Sequence, residues 1–240
     1  MSFLTTLGFG STGWGGFLLF GAAMTFAVTL VSLAIGAVLG TLVAWAKLSK
    51  SLAGRLVGDA YTTVFRGVPE LLVIYLFYFG GSTLVTAAAA ALGFEGFLGL
   101  PSFLAGALAV GVISGAYQAE VYRGAFLAVA RGEIEAARAV GMPPFLRFRR
   151  IIAPQVLRFA LPGLGNVWQL SLKDSALVSV TGLVELMRSS QIAAGSTHQF
   201  FLFYLAGGAL YLVLTGLSNR AFDAAEARVG KSFRRGLGRA

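Results

Sequence analysis

No side chain between Met1 and Ala46 carries a charge; the first charged one is Lys47. About 20 consecutive apolar residues are enough to cross the hydrocarbon core of a bilayer, so a run of this kind places the chain in a membrane. The rest of the sequence agrees: charged residues make up 12% of the 240, against about 25% in a soluble domain. The N-terminus lacks a basic leader region and the apolar run is too long for a signal peptide. Thr25–Ala46 therefore reads as a retained span.

The apolar runs predict an all-α membrane protein, a single transmembrane domain over 1–240. Its five spans lie at roughly 17–46, 61–80, 103–122, 156–172 and 200–217. Lys173 and Asp174 interrupt the fourth before the apolar run resumes at Ser175. Residues 80–100 read as an Ala/Gly-rich external hairpin, with Glu95 its one charge.

Lysine and arginine set the orientation. One group holds Lys47, Lys50, Arg55 and Arg66; a second runs from Arg123 through Arg131, Arg138, Arg147, Arg149 and Arg150 to Arg158. A third fills the tail from Arg220 to Arg239, while the opposite loops offer Arg188 alone. The expected protein crosses the membrane several times, with its N-terminus outside and its C-terminus in the cytoplasm. The net charge of +9 thus marks orientation and the anionic bilayer surface, not nucleic acid. With no cysteine and one histidine, His198, neither a thiolate nor a histidine-cluster metal site is available.

The longest cytoplasmic connection, 123–154, has its own design. Glu133-Ile-Glu-Ala-Ala-Arg-Ala-Val140 is a helix-forming run with acids in its first turn, which suits the helix dipole. Gly141 stands where a left-handed residue would end it. Pro143 and Pro144 are placed to open a second helix, which should stop before Pro154. Two short helices joined at a glycine make an exposed knob.

These residues carry a resemblance. Glu135-Ala136-Ala137, Gly141, Ile151 and Pro154 resemble the EAA loop of bacterial ABC-importer permeases: E-A-A, three residues, G, nine residues, I, one residue, L-P. Ala153 stands where that pattern has leucine. Further stretches are similar to polar amino-acid permeases, particularly those of histidine/lysine/arginine/ornithine and opine importers. They are Tyr61–Leu72, Gly115–Phe126, and Ala160–Gln169 with Lys173–Ser179. The resemblance implies a type I ABC-importer permease fold and a channel-forming subunit for polar, basic amino acids or opines. It also implies a second homologous permease subunit, most naturally in a heterodimer, two cytoplasmic ATPase subunits and a periplasmic substrate-binding protein. ATP and magnesium would be bound by the ATPase partner, with no cofactor and no catalytic residue in this chain.

The chain has no ATPase signature of its own. Gly230-Lys231-Ser232 ends like a phosphate-binding loop, but Ala225 occupies the position of the first glycine. The alternative class is an ion-coupled carrier, which needs ionisable groups at membrane depth. Glu70 and Glu120 lie toward span ends, and Asp174 adjoins Lys173.

Asn166, Gln169 and Lys173 are spaced to share a helical face. With Asp174, and with Tyr117 and Gln118 on the third span, they are candidates for the substrate path. Hydrogen bonding between helices is the competing account. Arg66, Gly67 and Pro69 are candidates for a gate hinge, against a plain helix start at Pro69. Gly36–Gly40 and Gly111–Gly115 are small-xxx-small patterns that suit either packing within the chain or a dimer seam.

Overall fold

The computed structural model describes residues 6–10 and 13–237, those beyond 229 by backbone alone. Of the basic tail, Lys231, Arg234 and Arg235 are therefore placed by backbone only, and Arg239 lies outside the described residues. Helices account for all regular structure among them.

α1 (Gly15–Leu48) holds the charge-free run and ends with Lys47 in its last turn, where a cation suits the negative end of the helix dipole. α2 (Leu52–Gly67) starts at Ser51, whose hydroxyl accepts the Gly54 N–H at 3.3 Å. It ends at Val68, forced into an extended conformation (φ −86°, ψ 137°) by the proline that follows. α3 (Glu70–Ala91) contains a π-turn at Leu76–Gly80. α4 (Ser102–Leu127) follows Pro101.

This arrangement divides the predicted second span. The apolar run over 61–80 is cut at Val68–Pro69: its first part belongs to α2, and the helix long and apolar enough to cross is 70–91. Hydropathy averaged along the chain is blind to a break that depends on one proline. The external hairpin in turn shrinks to the loop between Ala91 and Ser102, because alanine, the strongest helix former, carries α3 through 87–91.

Among the described residues four helices are long and apolar enough to span a membrane: α1, α3, α4 and residues 200–229 of α9 (Phe200–Leu237). α7 (Ala153–Asp174) coincides with the fourth predicted span and has comparable length, but carries Arg158, Lys173 and Asp174 and contains Pro162. A 3₁₀ turn (Ser175–Thr181) and α8 (Leu186–Thr197) connect it to α9. His198 closes α8 with φ +58°, a conformation that histidine tolerates better than most side chains.

α4 is the central helix, with 67% of its apolar window buried against 17–28% in the other three. Its closest neighbour is α1, lying parallel to it. A Cβ added at Gly36 would sit 2.5 Å from Gln118 Nε2 and 2.7 Å from Ser114 Oγ; one at Gly111 would sit 2.9 Å from Ile35 Cβ. The two small-xxx-small motifs thus face each other within one chain. Lipid tails are as apolar as leucine, so such close packing, rather than escape from water, holds these helices together. Val28, Ile74, Val110, Ile113 and Val178 fill the core beside this seam.

Candidate functional site

The knob forms as the sequence predicts in its first half. α5 (Arg131–Ala139) is capped by Val140, and Gly141 has φ +74°. The Gly141 N–H bonds to the Arg138 carbonyl at 2.9 Å and the Met142 N–H to the Ala137 carbonyl at 3.0 Å. That pair of bonds is the Schellman arrangement, which needs a left-handed residue at Gly141. α6 (Pro144–Arg147) then starts with proline in its first turn.

The second half differs from expectation. α6 does not stop before Pro154; it runs through a π-turn at Phe148–Ile152 directly into α7. The wider i→i+5 ring restarts the ladder at Ala153, so Pro154 falls in the first turn of α7, where its missing N–H is tolerated.

The knob is tied to α7 at its base. The side-chain amide of Gln155, which is buried, donates to the Glu133 carboxylate. Ala136, Ala137, Ile151 and Pro154 line one groove of about 490 Å³, together with Val140 and Met142. Glu135 lies outside that groove, beside Arg131 and Arg138. At the tip, Val140 and Phe145 are 78% and 75% exposed. An apolar tip held by a rigid joint suits docking into another protein.

The band on α7 divides between two environments. Gln169 donates its amide to Asn219 Oδ1 on α9, a bond between helices of the same chain. Asn166 and Lys173 are exposed on that side of α7. Asp174 is buried and near enough to Glu70, at the start of α3, for their charges to interact.

On α4, Gln118 is fully engaged: its amide donates to the Leu33 carbonyl at 3.1 Å and to Ser114 Oγ at 2.9 Å, and its oxygen accepts from Tyr122 at 2.8 Å. Tyr117 instead faces a recess, with the Arg66 guanidinium 5.3 Å from its ring centre. Arg66, Gly67 and Pro69 mark the α2–α3 break. Tyr61 fixes α2 from the other side, donating to the Val112 carbonyl at 2.7 Å.

Sequence reasoning missed two polar centres. Glu185 is buried and caps α8, accepting from Met187 N at 2.9 Å, Arg188 N at 2.8 Å, Thr25 Oγ1 at 3.1 Å and Tyr211 Oη at 2.9 Å. It joins α1, α8 and α9 at one point. The signal was a lone acid in an apolar stretch, just ahead of a helix. The other centre surrounds Lys47, which looked like a simple orientation signal.

A family model described as the binding-protein-dependent transport system inner membrane component matches residues 36–231. The chain belongs to this family. It is a permease subunit, and its relatives match it nearly end to end. The octopine transport system permease protein OccQ of Rhizobium meliloti is 55% identical over 99% of this chain and 100% of its own length. The nopaline transport system permease protein NocQ of Agrobacterium fabrum is 51% identical over 96% and 98%. HisQ of Escherichia coli, a histidine/lysine/arginine/ornithine transport system permease protein, is 40% identical over 86% and 90%. Among solved structures, an amino acid ABC transporter crystallised with histidines superposes with TM-score 0.75 at 33% identity, over 90% of this chain and 95% of that one. The permease therefore has the type I ABC-importer fold expected from its sequence.

Proposed function

We propose that this permease forms half of the channel of an ATP-driven importer for basic amino acids or opines. The other half is a second, homologous permease subunit. The near-complete match to octopine and nopaline permeases carries the reading of the solute class. Five spans, with α7 as the fourth, put the N-terminus in the periplasm and every basic cluster in the cytoplasm, in keeping with the positive-inside rule. A periplasmic binding protein delivers solute at the opposite face.

The knob is the coupling element. Its tip, Val140 and Phe145, enters a groove of a cytoplasmic ATPase subunit, two of which serve the dimer. ATP and magnesium stay with those partners. Asn166, Lys173 and Asp174, with Glu70 opposite, supply the polar lining of the path, while the α2–α3 break at Arg66–Pro69 supports a hinge.

The test is uptake by the complete importer in proteoliposomes with its binding protein. Arginine, ornithine or octopine should enter with ATP, and alanine should not. Uptake of neutral solutes alone would overturn the substrate class. Uptake driven by a proton or sodium gradient without ATP would make the chain a carrier. Orientation is checked separately: a phosphatase fusion at Gly93 should be active and one at Arg131 inactive.

A further inference from the structure

Residues 92–101, which join α3 to α4, read Leu-Gly-Phe-Glu-Gly-Phe-Leu-Gly-Leu-Pro. Every side chain in this loop is apolar or absent except that of Glu95. The large ones are turned outward: Leu92 and Phe97 are each 77% exposed and Phe94 is 64% exposed. An apolar patch of that density on the surface of a protein marks a contact with something other than water.

The loop is held against its own helix. At the end of α3 the Gly93 N–H bonds to the Ala90 carbonyl and the Phe94 N–H to the Ala89 carbonyl, each at 3.0 Å, with Gly93 at φ +86°. Beyond Gly96, at φ +115°, the chain runs back along α3. Thr86 Oγ1 accepts the Leu98 N–H at 3.1 Å and lies 3.0 Å from the Leu98 carbonyl, and Ser82 Oγ accepts the Leu100 N–H at 2.9 Å. Ser82 and Thr86 are one turn apart and so share a face. Four N–H groups of the loop are thereby satisfied without water, as the margin of the hydrocarbon requires.

These bonds also set a depth. Thr86 lies five residues before Ala91 and Ser82 nine, so at 1.5 Å per residue the loop returns about 7 Å and then about 13 Å below the end of the helix. The 22 residues of 70–91 measure about 33 Å, against a hydrocarbon core of about 30 Å. Phe97, next to Leu98, therefore stands at the edge of the hydrocarbon and not above it. Apolar side chains of interfacial segments reach about 5–10 Å into this boundary. A soluble partner fits the patch poorly: it would find one charge to set its register, and each departure would return the phenylalanines to water. A lipid leaflet is always there.

We infer that the 92–101 loop is an interfacial anchor, with Leu92, Phe94 and Phe97 seated among lipids at the boundary of acyl chains and headgroups and Glu95 at headgroup level. In the proposed orientation the leaflet is the outer one; the depth is the same in either orientation.

The chain has no cysteine, so Phe97→Cys and Glu95→Cys can each carry a single NBD fluorophore in the complete importer, its other subunits freed of cysteine, in nanodiscs. Phospholipid with a doxyl group high on its acyl chain should quench the probe at 97 about threefold more than the probe at 95, and aqueous iodide should do the reverse. Adding the binding protein should change neither. Equal iodide quenching at both positions would put the loop in water and overturn the anchor. A probe at 97 shielded from both quenchers would mean that a protein subunit covers the patch, and iodide quenching there that falls only when the binding protein is added would make it a landing site; either result also overturns the anchor. Nanodiscs expose both faces of the bilayer, so an inverted orientation leaves the expected pattern intact.

Discussion

Gln155 and Glu133 meet across the base of the knob, although one begins α7 and the other opens α5. Under the proposed coupling role of the knob, this bond is the link by which a push on it would reach the helix that carries Asn166, Gln169 and Lys173. Losing a hydrogen bond to a charged group costs about 1.5–3 kcal/mol. Gln155→Leu should keep basal ATP hydrolysis in the assembled importer and lower its solute-stimulated part severalfold. Paired assays of hydrolysis and uptake check this, and unchanged stimulation would refute the mechanical link.

Gly141 offers a cleaner test of the joint. Nothing lies within 4 Å of a Cβ added there, so only its φ of +74° resists substitution. A left-handed alanine costs roughly 1–2 kcal/mol, whereas asparagine visits that region more readily. Coupling should fall in Gly141→Ala and recover in Gly141→Asn. Equal damage by both would show that the backbone conformation is not what matters.

The α1–α4 seam should be intolerant at Gly36, whereas Gly16, in the first turn of α1 and outside the seam, should tolerate a methyl. Gly36→Ala forces a methyl to within 2.5 Å of Gln118 Nε2, while a Cβ at Gly16 meets nothing within 4 Å. Overpacking of this kind typically costs 1–3 kcal/mol. The amount of folded permease in membranes, followed by detergent-resistant gel filtration, should drop for Gly36→Ala and hold for Gly16→Ala.

Glu185 should behave as a structural hub. Glu185→Ala leaves the Thr25 and Tyr211 hydroxyls and two backbone N–H groups without their acceptor, each costing about 1–3 kcal/mol if it stays buried and unpaired. Thermal unfolding of the purified complex should shift down by several degrees, and Tyr211→Phe should produce a smaller shift of the same sign. No shift in either would remove the hub.

On α7, Gln169 and Asn219 should show energetic coupling. If their bond is structural, Gln169→Leu and the Gln169→Leu/Asn219→Leu pair should lose nearly the same stability, since the second change removes an orphaned partner. Losses that simply add would point to separate roles, with Gln169 contributing to the solute path.

The long charge-free run made α1 and the membrane class legible, and local backbone chemistry made the knob legible down to Gly141. Glycine and proline act within a few residues, so their effects can be read in order along the chain. What escaped depends on distant partners. Pro69 divided the second apolar run into two helices, leaving 70–91 as the one long and apolar enough to cross, because one extended residue, Val68, outweighs an unbroken apolar average. The π-turn before Pro154 kept a helix going where a proline usually ends one. Gln118 sat beside Tyr117 in the sequence as an equal candidate, yet one is sealed among α1 and α4 groups and the other faces a cavity. Lys47 read as a surface cation until Asp59, Thr62 and Glu120 converged on it.

The parallel pairing of α1 with α4 also dictates an order of birth. Parallel neighbours cannot be joined by a hairpin, so the chain must return across the bilayer through α3 before α4 can insert. Gly36 and Gly40 must therefore wait, facing lipid or the translocon, until Gly111 and Gly115 have been made. At roughly 5–20 residues per second of translation, that wait lasts on the order of several seconds to a quarter of a minute. During it the small-residue groove of α1 is open to any passing helix, including that of another nascent permease.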